Sequence, residues 1–261
     1  MVNRPRSMSL AACISAALGF AQTGTITPNS IVDGTRAAQV ETPKPVLSAE
    51  SRGDILMARK MYREAIETFS EGSPKDPVLR NKIGIAYHQL TQLDLARKYY
   101  EQAIKLKPSY SEAVNNLGTV YYATKSYRRA ISQYKKAIKL APDSASIHSN
   151  LGTAYYSRNL LALANEEYRI ALKLDPEVFE HHSSYGSLLQ ERSVQDRAKF
   201  HYMMAAIYAQ DGRNELALQY LRKALEEGYK DRKKLPDDPA FAGLRETPEF
   251  KQLLALEPRV L

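Results

Sequence analysis

The side chains whose types could carry out chemistry are a few histidines and carboxylates in the C-terminal half of the chain. His181 and His182 are neighbours, so on a helix they would point about 100° apart and could not share a zinc ion as an i, i+4 pair would. Glu180 and His201 would complete a cluster only if the segment between them folds back. These histidines are therefore more typical of surface or loop positions than of a metal site.

Other signatures of catalysis are missing from the sequence. It contains no nucleophile elbow, phosphate-binding loop or zinc-protease helix. The adjacent Glu166 and Glu167 are typical of a solvated helix face. Cys13 is the only cysteine, and removal of the first residues would leave no thiolate for a redox or metal mechanism. We predict a protein that is not an enzyme and that has no cofactor and no metal ion.

Composition indicates a soluble, folded chain of one or two domains. Of the 261 residues, 44% are hydrophobic, 25% are charged and none is tryptophan. The formal net charge of +8 would suit an acidic partner, nucleic acid or a membrane surface. Whole-chain charge describes solubility and nonspecific attraction more than specific function, so we treat it as weak support.

Residues 1–21 have the features of a signal peptide. Arg4 and Arg6 precede a short apolar run, and Gly19-Phe20-Ala21 offers small residues at the spacing that a signal peptidase prefers. We predict cleavage near Ala21 and an exported protein, periplasmic or secreted. The apolar run is shorter than the roughly 20 residues of a membrane span, so a retained anchor is the weaker alternative.

Two other interpretations of the N-terminus stay open. The sequence LAAC at 10–13 resembles a lipoprotein box, which would make Cys13 a lipid anchor. The lack of any acid before Asp33 would also suit a transit peptide, although the continuous apolar run argues against one. Residues 22–45 mix threonine, glycine and proline without periodicity, and we predict a flexible leader there.

The strongest pattern is an internal repeat. Gly84, Gly118 and Gly152 recur at intervals of 34 residues. Seven positions are held in all three units, which rarely happens by chance. The three sets are Ile83, Gly84, Tyr87, Ala96, Tyr100, Ala103 and Pro108; Leu117, Gly118, Tyr121, Ala130, Tyr134, Ala137 and Pro142; and Leu151, Gly152, Tyr155, Ala164, Tyr168, Ala171 and Pro176.

This pattern resembles the tetratricopeptide repeat family, whose unit is two antiparallel helices, A and B. The resemblance implies an all-α fold, a right-handed α-α superhelix (solenoid) of about five such hairpins. Each repeat glycine should allow helix B to approach closely. Tyr100, Tyr134 and Tyr168 replace the family's usual phenylalanine, and their hydroxyls need a partner or water when the rings are buried.

Weaker copies of the pattern flank the three clear units. Asp238-Pro239 and Thr247-Pro248 look like helix starts in a cap that closes the apolar end of the stack. We predict a solenoid over 46–229 with units near 46–76, 77–110, 111–144, 145–178 and 198–229, an insertion at 179–197, and a C-terminal helical cap at 230–261.

The inner curve of such a stack is the candidate binding surface. At about 100° per residue, the second, fifth, sixth, ninth and thirteenth positions of helix A point away from helix B. In the third and fourth units these positions are small and polar, with a tyrosine beside them. The predicted peptide-binding residues are Asn81, Lys82, Asn115, Asn116, Thr119, Tyr122, Ser149, Asn150, Thr153 and Tyr156.

In tetratricopeptide domains similar to this one, asparagines at the sixth position can form a ladder that holds the backbone of an extended peptide. Asn116 and Asn150 match that position, whereas the second unit has Lys82 there. One carboxamide can pair with both polar groups of a peptide unit. The alternative is that these asparagines are solvated or bond a neighbouring helix.

The resemblance implies a scaffold or adaptor that binds an extended peptide or a partner helix in the concave groove. A structural assembly protein of the cell envelope, forming a homo-oligomer through its outer faces, is the alternative. Nucleic-acid binding through basic faces is disfavoured, because no recognisable nucleic-acid module is present. The basic residues concerned are Lys82, Lys125, Arg128, Arg129, Lys135, Lys136, Lys230, Arg232, Lys233 and Lys234, which also fit solvated helix faces.

Overall fold

The computed structural model describes residues 47–181 and 194–255, and the regular structure there is helical. The predicted signal peptide with Cys13, the leader and His182 lie outside the described residues. The helices are α1 (Ala49–Ala58), α2 (Tyr62–Ser70), α3 (Pro77–Gln89), α4 (Leu93–Leu106), α5 (Ser111–Ala123), α6 (Tyr127–Leu140), α7 (Ala145–Ser157), α8 (Leu161–Leu174), α9 (Val178–His181), α10 (Val194–Gln210), α11 (Asn214–Glu226) and α12 (Pro248–Ala255), with 3₁₀ helices at Arg232–Asp237 and Pro239–Phe241.

Five helical hairpins stack in chain order. Helices α1 and α2, α3 and α4, α5 and α6, α7 and α8, and α10 and α11 pack most closely with each other. In the first four hairpins, the B helix also contacts the A helix of the next hairpin, least extensively between α8 and α10. The predicted all-α solenoid is confirmed. Within the described ranges, no helix is long and apolar enough to cross a membrane.

Local sequence explains where these helices begin and turn. The Asp76 carboxylate accepts a hydrogen bond from the Val78 backbone N–H at 2.8 Å, and Pro77 occupies the first helical position of α3. Each A-to-B turn has one residue in the left-handed region. These residues are Lys60, Thr91, Lys125, Asn159 and Gly212, with φ values of 60°, 58°, 57°, 60° and 77°.

A glycine of helix A lies against a tyrosine ring of helix B in the three central hairpins. A methyl group at Gly118 would lie 2.6 Å from Tyr134 Cε1, and Gly84 and Gly152 face Tyr100 and Tyr168 in the same way. All three rings are at most 2% exposed. The predicted close approach of helix B at the repeat glycines is therefore confirmed.

The start of the predicted insertion is part of the core. Val178 and Phe179 in α9 are buried, and the Phe179 ring lies edge-on to Tyr168 and Tyr208, with centroid distances of 5.6 and 6.4 Å. Helix α10 then begins at Val194, inside the segment that the sequence assigns to the insertion. Phe179 thus joins the fourth hairpin to the fifth through aromatic contacts.

The C-terminal elements add a second layer of apolar side chains to the end of the stack. Leu235, Phe241, Leu244, Phe250 and Leu253 are each at most 2% exposed and belong to the same core as the last two hairpins. The predicted helix start at Asp238-Pro239 is only a three-residue 3₁₀ helix, because the chain turns again at residues 242–247. The start at Thr247-Pro248 opens α12.

We predict that Gly118→Ala destabilises the protein. The new methyl group would meet the ring of a buried tyrosine, and overpacking of this kind costs about 1–3 kcal/mol, against a gain of about 1 kcal/mol in helix propensity. The difference, a net loss of up to about 2 kcal/mol in the free energy of unfolding, is measured by urea denaturation. Gly243→Ala is the control, since no atom lies within 4 Å of its added methyl group. Equal stability of the two variants would contradict the close-contact account.

Candidate functional site

The asparagines of the inner curve form a hydrogen-bonded series across three A helices. Each step is a carboxamide N–H donating to the next side-chain oxygen. The series runs from Asn150 to Asn115 Oδ1 (3.0 Å), from Asn115 to Asn116 Oδ1 (3.4 Å), from Asn116 to Asn81 Oδ1 (3.1 Å) and from Asn81 to Glu112 Oε1 (2.8 Å). We call these four asparagines the asparagine track. It links α7, α5 and α3.

The track differs in accessibility along its length. Asn81 is fully buried and its amide also donates to the Tyr110 hydroxyl at 3.4 Å, so both of its N–H groups are occupied. Asn115, Asn116 and Asn150 are half-buried. A carboxamide has two donors and two acceptor lone pairs, and these three keep capacity for a ligand beyond the bonds within the track. Asn81 instead holds the track in place.

The inner-face threonines bind within their own hairpins. Thr119 Oγ1 donates to the Asn115 carbonyl at 3.2 Å and accepts from the Tyr134 hydroxyl at 3.4 Å. Thr153 Oγ1 donates to the Ser149 carbonyl at 2.9 Å and lies 3.1 Å from the Tyr168 hydroxyl. The hydroxyls of two core tyrosines therefore find their partners on the inner face.

Lys82 is held by the first hairpin. Its Nζ lies 2.5 Å from Asp54 Oδ2 and 2.9 Å from Glu50 Oε1, and 5.9 Å from the centre of the Phe69 ring. Burial by itself lowers the pKa of Lys82, but the hydrogen bonds and charges of Asp54 and Glu50 outweigh it, and the pKa is raised overall. Lys82 thus stays charged and occupied, where the third and fourth units have an asparagine.

The two predicted site tyrosines lie at different depths. The Tyr122 hydroxyl is 2.9 Å from Ser157 Oγ and its ring is half-buried. Tyr156 is only 4% exposed, because its hydroxyl donates to the Asp196 carbonyl at 2.6 Å and its ring lies edge-on to Phe200. Ser149 is also buried, at 4%. Tyr156 therefore marks the place where α10 covers the polar inner face.

A cleft of about 730 Å³ lies beside Tyr156, between α8, α10 and the C-terminal elements. We call it the C-terminal cleft. Five of its lining residues are the second, fifth, sixth, ninth and thirteenth residues of the fifth A helix, counted from Ala198, so they continue the inner curve. The full lining is Tyr156, Leu161, Ala162, Asn165, Lys199, Tyr202, Met203, Ala206, Gln210, Tyr229, Asp231, Asp238, Pro239 and Ala240.

The wall of the C-terminal cleft is largely apolar and aromatic. The Tyr202 and Tyr229 rings stack with centroids 4.4 Å apart, and the Tyr202 hydroxyl donates to Asp238 Oδ2 at 2.5 Å. Burial, followed by the nearby Asp231 charge, raises the pKa of Tyr229 to about 12. Burial and Asp238 likewise raise the pKa of Tyr202. Both tyrosine hydroxyls therefore remain uncharged near neutral pH. Leu161 adds an apolar side chain to the wall, and it is 41% exposed.

Charged side chains at the cleft largely have partners. Asp231 pairs with Lys234 at 2.8 Å, and Asp238 also accepts from the Ala240 backbone N–H at 2.9 Å. Lys199 adds one exposed cation. A site of this volume with apolar walls and a few polar groups is typical of a ligand-binding pocket.

Two of the histidines, His148 and His201, each lie against a glutamate. His148 Nδ1 lies 2.7 Å from Glu167 Oε2, and His201 Nδ1 lies 2.7 Å from Glu227 Oε2. The sequence predicted that Glu167 is solvated on a helix face, but the structure pairs it with His148. In the part of the chain that the structure describes, no three His, Cys, Asp or Glu side chains are grouped as a metal ion would need.

The C-terminal cleft was not predicted from the sequence. Its signal was available, because the rule for inner positions can be applied to the fifth unit as to the third and fourth. That rule selects Lys199, Tyr202, Met203, Ala206 and Gln210. The contributions of α8 and of residues 229–240 have no comparable signal, since they depend on how the end of the stack folds back.

Comparison with protein families agrees with the hairpin geometry. A TPR repeat model matches residues 84–125 and 118–159, and a tetratricopeptide repeat model matches residues 198–227. The chain therefore contains tetratricopeptide repeats at these residues. Its fold is that of a protein-interaction scaffold.

Several solved structures are similar to the chain at low identity. A crystal structure of MamA is 20% identical, covers 70% of this chain and 96% of its own, and has a TM-score of 0.47. MamA from Desulfovibrio magneticus RS-1 is 21% identical, with coverages of 69% and 92% and a TM-score of 0.48. The second TPR domain of human RPAP3, solved with an HSP70 peptide, is 24% identical, with coverages of 41% and 92% and a TM-score of 0.40. A search of curated proteins finds no significant match.

We predict that Asn81→Ala destabilises the protein more than Asn150→Ala does. Loss of the buried Asn81 removes the partner of Asn116 and two donors to Glu112 and Tyr110, and unsatisfied groups of this kind cost about 1–3 kcal/mol. Asn150 lies at the half-buried end of the track and should cost less than about 1 kcal/mol. Urea denaturation followed by circular dichroism measures both, and a larger loss at Asn150 would contradict the order of the track.

Proposed function

We propose that the protein is an exported adaptor that holds an extended peptide or a partner helix in its inner curve, with its strongest contact in the C-terminal cleft. The observation that carries the proposal is the cleft itself, whose lining continues the inner positions of the A helices onto an apolar, aromatic wall. Export rests on the N-terminal 21 residues alone, with a lipid anchor at Cys13 as the alternative.

The cleft and the asparagine track would contribute differently to binding. A hydrogen bond to a half-buried carboxamide replaces one to water, so its net gain is about 0.5–1.5 kcal/mol. Burying one large apolar side chain gains about 1.5–3 kcal/mol. The cleft should therefore supply most of the affinity, while Asn115, Asn116 and Asn150 align the partner's backbone.

The lining of the cleft favours an uncharged apolar side chain as the anchor. Asp231 is paired with Lys234, and the Asp238 carboxylate accepts hydrogen bonds from the Tyr202 hydroxyl and the Ala240 backbone N–H, so both acids already have partners. An aromatic or long aliphatic anchor can contact Met203, Leu161 and the tyrosine stack at once. Polar groups beside that anchor would reach Asn165 and Gln210 at the opening.

We predict that Ala162→Trp weakens the binding of peptides selected on the protein from a random-peptide phage library. Ala162 is exposed and lines the cleft, so an indole there fills the space without disturbing the core. Fluorescence anisotropy with a labelled selected peptide should show a dissociation constant at least about tenfold higher, a loss of more than about 1.4 kcal/mol.

Ala58→Trp is the matched control, because Ala58 is an exposed alanine at the end of α1, outside the cleft lining. Its dissociation constant should stay within about twofold of the parent protein. If the library gives no binding peptide, or if both tryptophan variants bind alike, the proposed use of the cleft is wrong.

We also predict that Asn116→Ala combined with Asn150→Ala weakens capture of the same peptide while the protein stays helical. The double variant removes two accessible carboxamides but leaves the buried Asn81 in place. An increase of about three- to tenfold in the dissociation constant is expected from the loss of one or two net hydrogen bonds. Unchanged affinity would remove the asparagine track from the binding site and leave the cleft as its only part.

A further inference from the structure

A basic depression of about 320 Å³ lies at the turns that join α5 to α6 and α7 to α8. Four of its six lining residues are cations and none is acidic. The lining is Lys125, Ser126, Tyr127, Arg128, Arg129 and Arg158. We call Arg128, Arg129 and Arg158 the arginine cluster. None of its members belongs to the asparagine track or to the C-terminal cleft.

The charges of the arginine cluster are not neutralised within the described part of the chain. No ion pair there involves Arg128, Arg129 or Arg158, whereas Arg52 pairs with Glu71 and Arg197 with Glu227. The Arg129 guanidinium lies 5.5 Å from the centre of the Tyr121 ring, an arrangement that favours one orientation of its planar group. Three guanidinium groups thus share one depression without a described counter-charge.

Two arginines of the cluster lie at the N-terminus of a helix, where positive charge is unfavourable. Arg128 and Arg129 lie in the first turn of α6, which contains no acid, and Ser126 makes no side-chain capping bond there. Cations are unfavourable at a helix N-terminus, where the backbone dipole is already positive. The preceding B helix, α4, has Asp94 at the position equivalent to Arg128. Departures from such a rule are expected at functional sites.

The cluster is confined to one place on the surface. The B helices on either side have Asp94 and Ala162 at the position of Arg128, so the basic surface does not continue from hairpin to hairpin. A nucleic-acid backbone is bound along a basic stripe or face, and a membrane surface attracts larger basic clusters. A protein segment that presents a few acids fits a depression of this size. It also fits the fold, which is that of a protein-interaction scaffold.

We propose that the arginine cluster binds carboxylate side chains of an acidic segment in a partner protein. Arginine pairs with carboxylates through two parallel hydrogen bonds, and this geometry adds specificity as well as attraction. Arg128 and Arg158 come from successive hairpins and can hold neighbouring carboxylates, while Arg129 is oriented by Tyr121. The interaction is independent of the binding proposed for the inner curve and needs no occupant in the cleft.

The test uses a fluorescein-labelled peptide that contains four consecutive glutamates, with a four-glutamine peptide as the uncharged comparison. Fluorescence anisotropy measures binding to the parent protein and to the double variant Arg128→Gln/Arg158→Gln. The control double variant is Arg222→Gln/Arg245→Gln, which removes the same net charge at two other exposed arginines. Thermal melting checks that both variants are folded.

We expect the glutamate peptide to bind and the glutamine peptide not to bind. The dissociation constant should rise at least about tenfold in the cluster variant and less than about twofold in the control. Equal weakening in the two double variants would reduce the effect to overall charge and overturn the proposal. Tighter, cluster-dependent binding of oligothymidylate or of phosphatidylserine vesicles than of the glutamate peptide would also overturn it.

Discussion

The contact between a glycine of helix A and a buried tyrosine ring of helix B is the constraint on which the rest of the structure depends. Because no side chain intervenes, the Tyr134 ring lies directly on the backbone at Gly118, and the same contact recurs in the neighbouring hairpins. It fixes how closely the two helices pack. With that distance fixed, successive A helices lie side by side and their outward residues form one continuous surface.

The same tyrosines connect the core to the inner face. Their rings fill the hairpin interior, while the hydroxyls of Tyr134 and Tyr168 reach Thr119 and Thr153. In these two hairpins the tyrosine hydroxyl therefore has a polar partner on the inner face. Where the fifth hairpin has Leu221 in the tyrosine position, the inner face has Ala206 instead of threonine, and the surface becomes apolar.

This change of chemistry gives the inner curve two distinct parts. Along α3, α5 and α7 the asparagine track is hydrogen-bonded to itself, so a ligand there meets groups that are already ordered. At α10 the surface is a cleft with a stacked tyrosine wall. The arginine cluster lies apart from both, at the turns between helices. The molecule thus offers polar, apolar and cationic surfaces on one repeated framework.

The sequence by itself determined the hairpins, because glycine, alanine, tyrosine and proline recur at a period that local packing requires. It also located Asn116 and Asn150 on the inner face, since helical geometry alone sets that direction. Only the tertiary structure decided that Asn81 is buried beneath them, that Phe179 packs between Tyr168 and Tyr208, and that a cleft forms beside Tyr156. The burial of Asn81 depends on Tyr110 and Glu112 of the next hairpin, and the other two features join α7, α8, α9, α10 and residues 229–240. Such contacts between separate segments leave no periodic signal in the sequence.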